Sequence, residues 1–277
     1  MRRAGALAVL AVIAGALTAR SAPAAPQAYY LALGDSITYG YQPTKARKNL
    51  PPSGFNTGYV DVFAARLRAL APGIQVVNYG CPGESTVTFV KHDCPALSEG
   101  IRLHDTYSGP QLEAALAFLR AHPGQVSPIT ITLWGKDIGD LEEACKGRVR
   151  CVRKRAPRAV AKLGSRLRSI LVQLRAAAPQ AEIIATGAWN FEVGRLARVA
   201  FLYRSIDKRI KRSATSAGAR VANMRRVFNP GGGFAKTRKR VCALTYVCSL
   251  GDVHPKDAGY RAMAKAFLKA SGYKAAP

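Results

Sequence analysis

Apolar positions along the chain follow two alternating rhythms. Short runs rich in Ile, Val and Leu or in mixed apolar residues, at 29–33, 74–77, 129–133, 182–186 and 220–224, read as strands. Between them apolar residues recur at helical spacing: Val60, Phe63, Leu67 and Leu70; Val160, Leu163, Leu167, Ile170 and Leu174; then Leu196, Val199, Leu202, Ile206 and Ile210. A last helix is predicted over about 257–270, after His254-Pro255, with Pro suited to the approach to a helix start. Strands alternating with amphipathic helices predict one α/β domain, a parallel sheet with helices on both faces. Two Pro-, Gly- and Lys/Arg-rich stretches, 42–54 and 229–240, break the rhythm and read as long surface loops.

The first two dozen residues stand apart. Arg2 and Arg3 precede an apolar stretch from Ala4 to about Ala19, and Ala22-Pro23-Ala24 supplies small residues for cleavage, the layout of a secretory signal peptide. Residues 1–24 are expected to be removed, leaving a secreted domain over 25–277. The rival reading is a membrane anchor, but the stretch is Ala-rich and short of the roughly 20 residues of a span. Six cysteines fit an oxidising compartment. The sequence neighbours Cys81 with Cys94, Cys145 with Cys151, and Cys242 with Cys248 would each staple a short loop, among the 15 connectivities that six cysteines allow. Metal binding calls for Cys-x-x-Cys or closely spaced His ligands, and only His92 and Cys94 come near that. No metal or cofactor is expected.

The chain carries 42 Lys and Arg against 16 Asp and Glu, a formal charge of +26, and such a field attracts anionic surfaces. The cations cluster at 146–162, 204–212 and 236–240 without the interleaved aromatics of a nucleic-acid groove, so no specific nucleic acid is expected. A solvated basic face is the simpler reading, and adhesion to anionic cell-wall polymer or lipid headgroups is its functional version.

Chemistry enters at "LALGDSITYG", residues 31–40, where a strand runs into Gly34, Asp35 and Ser36. A turn there lies at the carboxyl end of a sheet, where open α/β folds bind ligands, and makes Ser36 a candidate nucleophile. A nucleophilic Ser needs a base. Of the four His, His92 lies in the proposed Cys81–Cys94 loop, His104 in a polar loop and His122 in a turn before Pro123. Only His254 sits near a carboxylate and just before a helix, in "SLGDVHPKDAGY". Asp252, two residues earlier, shares a face with it in extended backbone.

The blocks "ALGDSITYG", "NYGCPGES", "LWGKDIGD" and "GDVHPKDAGY", in that order, resemble the GDSL or SGNH hydrolase family over nearly all of the mature chain. The resemblance implies a flavodoxin-like three-layer α/β/α fold with a five-stranded parallel sheet, and ester hydrolysis through an acyl-enzyme. Ser36 would be the nucleophile and its N–H one oxyanion donor, the N–H of Gly83 a second donor, and His254 the base. Two blocks depart from the family. Its Gly-x-Asn-Asp is here Trp134-Gly135-Lys136-Asp137, so Lys136 holds the place of the oxyanion-binding Asn; either its ammonium donates instead, or it points away. Its Asp-x-x-His is here Asp252-Val253-His254, so either Asp252 serves from the shorter spacing or a backbone carbonyl near Gly251 holds the ring. Cys81 beside Gly83 and Cys248 before His254 would pin catalytic loops.

These readings describe a monomeric secreted serine esterase or lipase acting on a small ester or lipid, with an acyl pocket drawn from 42–54 and 134–143. A carbohydrate O-acetyl esterase on the same fold is one alternative. A non-catalytic cationic surface-binding relative, its oxyanion hole disabled at Lys136, is another.

Overall fold

The computed structural model describes residues 25–273; the predicted signal segment, 1–24, lies outside the described residues. In chain order the elements are β1 (Tyr29–Gly34), α1 (Ser36–Tyr39), α2 (Pro43–Ala46), a 3-10 turn (Pro52–Phe55), α3 (Tyr59–Arg68), β2 (Gln75–Asn78), α4 (Thr88–Lys91), α5 (Pro95–Ser98), α6 (Gln111–Ala121) and β3 (Val126–Thr132). The second half adds α7 (Gly135–Ala144), α8 (Val149–Ala177), β4 (Ile183–Thr186), α9 (Leu196–Ser216), β5 (Arg220–Ala222), α10 (Met224–Phe228), α11 (Phe234–Leu244), α12 (Val247–Leu250) and α13 (Asp257–Ser271).

The five strands are all parallel, in the order β2-β1-β3-β4-β5. Residues of β1 from Tyr30 on and every residue of β3 are buried, as central strands covered on both faces must be, whereas edge strands β2 and β5 each expose their first residue. Helix α3 packs on α13, and α8 packs on α6, α7 and α9, giving the helical layers of an α/β/α sandwich. Chain direction across the sheet reverses at β1, whose neighbours are β2 and β3. The crevice beyond the carboxyl ends of β1 and β3 is therefore the switch point, the usual ligand position in such sheets.

Several boundaries differ from the pattern reading. The stretch 229–240 is a loop only as far as Gly233; from Phe234 it is α11, whose Thr237, Val241 and Leu244 are buried. Three successive glycines, Gly231 to Gly233, turn the chain with positive φ before that helix, and its basic outer face hid the apolar stripe. Residues 42–54 hold α2 and the 3-10 turn, each opened by a proline. Strand β5 ends at Ala222, because Asn223 caps α10 through its side chain to the Arg226 N–H. Helix α6 escaped the periodicity reading altogether; Leu112, Ala115 and Leu119 are its buried side.

Three disulfides join Cys81–Cys94, Cys145–Cys151 and Cys242–Cys248. The second ties the end of α7 to the first turn of α8, and the third ties α11 to α12, just ahead of the segment that carries Asp252 and His254.

Candidate active site

Strand β1 stops because Gly34 adopts φ +125°, and a Cβ there would lie 2.1 Å from the carbonyl oxygen of Thr132 on β3. Only glycine fits so close an approach. Asp35 then caps the four-residue α1, its Oδ1 accepting the Ile37 N–H at 3.0 Å and the Thr132 hydroxyl at 2.8 Å. Ser36 is the first residue of that helix, presented at the carboxyl edge of the sheet.

The supports beneath Ser36 form one buried network. Gln111 reaches from α6 to β1, accepting the Gly34 N–H at 2.6 Å and donating to the Gly34 carbonyl at 3.1 Å. Its amide also donates to Glu84, which takes a second bond from the Thr88 hydroxyl. Burial pushes the Asp35 carboxyl up to about 6 and the Glu84 carboxyl up to about 7, the neighbouring Asp35 adding to the latter. Asp137, in the first turn of α7, accepts the Thr86 N–H at 2.9 Å and the Thr86 hydroxyl at 2.5 Å, tying that helix to the loop of Gly83. Gly83 itself has φ +83°, a conformation that favours glycine.

His254 arrives from the other side. Its Nε2 lies 2.8 Å from Ser36 Oγ, placed to accept the hydroxyl proton, and its Nδ1–H donates to Asp252 Oδ1 at 2.7 Å. The same Oδ1 accepts the His254 backbone N–H at 2.8 Å. Gly251, in the left-handed conformation with φ +69°, ends α12 and turns the chain into this segment. Burial pulls the Asp252 carboxyl upward, but the hydrogen bonds and charge of His254 outweigh it and leave the group below the usual carboxylate range. The ring of Tyr41 lies against the imidazole, centroids 4.6 Å apart.

A cavity of about 440 Å³ opens beside Ser36 and His254, with Gly83 in its wall. Trp134, Trp189 and Phe191 line it; the two indoles meet edge to face at 5.0 Å, and Phe191 stacks on Trp134. Glu142 and Glu192 also line it, joined by Arg195 at 3.4 and 2.7 Å. Burial, and then the Glu192 carboxylate, push Glu142 up to about 7. Glu142 Oε1 and Trp189 Nε1 are both buried without a hydrogen-bond partner among the described residues.

The structure brings Ser36, His254 and Asp252 into one hydrogen-bonded line and places Gly83 in the wall of the adjoining cavity. Lys136 lines the same cavity, with its ammonium paired to Asp140 one turn along α7 and about half exposed. Residues 42–54 line none of the cavity; Gln42 is instead spent on Asp257, 2.7 Å away at the start of α13. Gln111, Thr132, Glu84, Trp189 and Phe191 were not singled out beforehand. The last two follow the carboxyl end of β4, a position that the switch-point rule would have flagged.

The GDSL-like Lipase/Acylhydrolase family model matches residues 32–262. Among solved structures, an acetylxylan esterase from Geobacillus stearothermophilus is similar at 19% identity, covering 91% of this chain and 97% of that one with a TM-score of 0.58. An α/β hydrolase enzyme from the metagenome of Lake Arreo, Spain, is similar at 19% identity over 91% of this chain and 98% of that one, TM-score 0.54. A sequence search of curated proteins finds no match.

Proposed function

This chain belongs to the GDSL-like lipase/acylhydrolase family, and from that premise we propose a Ser36–His254–Asp252 triad for its hydrolysis of carboxylic esters. The observation that carries the reading is the continuous hydrogen-bonded line from Ser36 Oγ through His254 to Asp252, at 2.8 and 2.7 Å. Ser36 Oγ attacks the ester carbonyl carbon while His254 Nε2 takes its proton. The negative charge that develops on the carbonyl oxygen is met by the backbone N–H groups of Ser36 and Gly83. Collapse expels the alcohol, which takes the proton from His254 and leaves an acyl-Ser36. Water, deprotonated by the same imidazole, then releases the acid and restores Ser36. Asp252 holds the ring by its Nδ1–H and stabilises the imidazolium in both halves.

Ser36→Ala is expected to lower kcat on p-nitrophenyl acetate by about 10⁴ to 10⁶, and a fluorophosphonate is expected to label the wild type at Ser36 alone. Unchanged turnover in Ser36→Ala would discard the triad. A wild type that neither labels nor turns over would revive the non-catalytic cationic relative.

A second reading concerns the substrate. Aromatic walls of Trp134, Trp189 and Phe191, with the carboxylates of Glu142 and Glu192 among the lining residues, suit a sugar ring with its hydroxyls better than a bare alkyl chain, which favours a carbohydrate O-acyl ester. A p-nitrophenyl series from acetate to decanoate, run beside acetylated xylan, separates the two. Rates that climb toward decanoate would turn the assignment to a lipase. Export after removal of residues 1–24 completes the proposal. The three disulfides support it, and mature protein recovered from culture medium should begin at Ala25.

A further inference from the structure

Helices α8 and α9 lie side by side on the sheet and carry fifteen Lys and Arg, nine and six respectively, against a single carboxylate, Asp207. Asp207 is buried and already holds Lys211 at 2.7 Å, and the other ion pair from these helices among the described residues is Arg166 with Asp137 at 3.8 Å. Most of this charge is uncompensated, and its self-repulsion works against the compact state. A surface kept that way gains from an anionic partner.

The charge is also shaped. A groove of about 480 Å³ runs between the helices, lined by Arg153, Phe201, Lys208, Arg209 and Arg212. Two of its arginines are held in place before anything binds. The Arg153 guanidinium sits over the Phe201 ring, 5.0 Å from its centroid. The stem of Arg209 lies across Gly164 of α8, where a Cβ would come within 2.2 Å of its Cγ and Cδ. Held guanidinium forks lose less entropy on meeting phosphate or carboxylate oxygens than free lysines do.

We propose that this groove binds a single strand of a linear polyanion bearing phosphate or carboxylate groups. A concave channel fits a strand, whereas a bilayer presents a flat face. Among the described residues the one exposed large apolar side chain on α8 and α9 is Val172, outside the groove, so nothing there inserts into lipid. The groove shares no lining residue with the Ser36 cavity, and a docked strand leaves that cavity open.

The test titrates fluorescently labelled mature protein with long-chain polyphosphate, with polygalacturonate and with phosphatidylglycerol vesicles at 0.15 M salt. The triple variant Arg153→Gln, Arg209→Gln, Arg212→Gln is expected to bind polymer at least tenfold more weakly. A control triple that removes the same charge from α11, Lys236→Gln, Arg238→Gln, Lys239→Gln, should change affinity less than twofold. Both should keep the wild-type rate on p-nitrophenyl acetate, and neither should melt below the wild type. Preference for polyphosphate or for polygalacturonate identifies which group the strand carries. Equal weakening in both triples, absence of polymer binding, or tighter binding to vesicles than to either polymer would overturn the proposal.

Discussion

The turn that carries Ser36 is held from beneath, by side chains that reach Gly34 and Asp35 from α6 and β3, whereas His254 is held from beside, by a residue two positions away in its own segment. Around Ser36 the partners are buried and distant in sequence: Gln111 lies 77 positions from Gly34, and Thr132 lies 97 from Asp35. Around His254 the decisive bonds are local, and the segment is half-buried, fastened at its start by the Cys242–Cys248 bridge and by the Tyr246 N–H on the His254 carbonyl at 3.0 Å. The proposed nucleophile on the sheet edge thus draws its precision from the fold, and the proposed base draws its precision from three consecutive residues. Damage on the two sides should therefore look different.

Among the residues that support Ser36 and His254, the largest effect is expected from the local side. Asp252→Asn leaves the fold within about 1 kcal/mol of wild type, because the pair is partly exposed, yet lowers kcat by about 10² to 10⁴ by presenting the wrong partner to Nδ1–H. Urea unfolding and initial rates on one preparation check both halves, and a large stability loss would collapse the distinction. On the distributed side Gln111→Leu leaves the buried Gly34 N–H unpaired and should destabilise by about 2 kcal/mol, with kcat falling alongside as Ser36 loses its seat. A stable Gln111→Leu protein with full activity would show that Ser36 does not depend on its buried network.

The network also has a pH signature. Glu84 is raised in the folded protein to about 7 from an ordinary value of 4.5, so the folded state binds the extra proton between those values. Stability from this group is present at low pH and is lost as pH rises through about 7. Glu84→Gln removes that dependence, and its Tm should improve relative to wild type on going from pH 4.5 to pH 8. A constant Tm difference across that range would mean that Glu84 ionises freely. The smallest effect is expected at Lys136→Asn, within about threefold in kcat, since the lysine is already paired with Asp140. A gain of 10² or more would mean that the side chain at 136 reaches the oxyanion after all.

The same contrast explains what could be read from the sequence. The succession of strands and helices along the chain and the neighbouring positions Asp252 and His254 rest on local patterns, apolar runs, period-3.6 repeats and an i, i+2 spacing, so they were visible in a one-dimensional string. Gln111 was not, because a glutamine in a helix looks like any surface glutamine until the sheet brings Gly34 to it. Trp189 and Phe191 were missed for a related reason: they act as cavity wall only where β4 ends beside β3. Helix α11 was hidden by composition, its three buried positions scattered among six exposed Lys, Arg and Ala residues that read as a loop.

Because one oxygen of Asp252 takes both the ring and the backbone N–H of His254, acid and base travel as one rigid body. A swing of their segment would sever the single contact to Ser36 and leave the imidazole still correctly turned. The pairing of the proposed acid and base is thus independent of the contact to Ser36, so a change that moves the segment costs the Ser36 bond before it costs the ring its orientation.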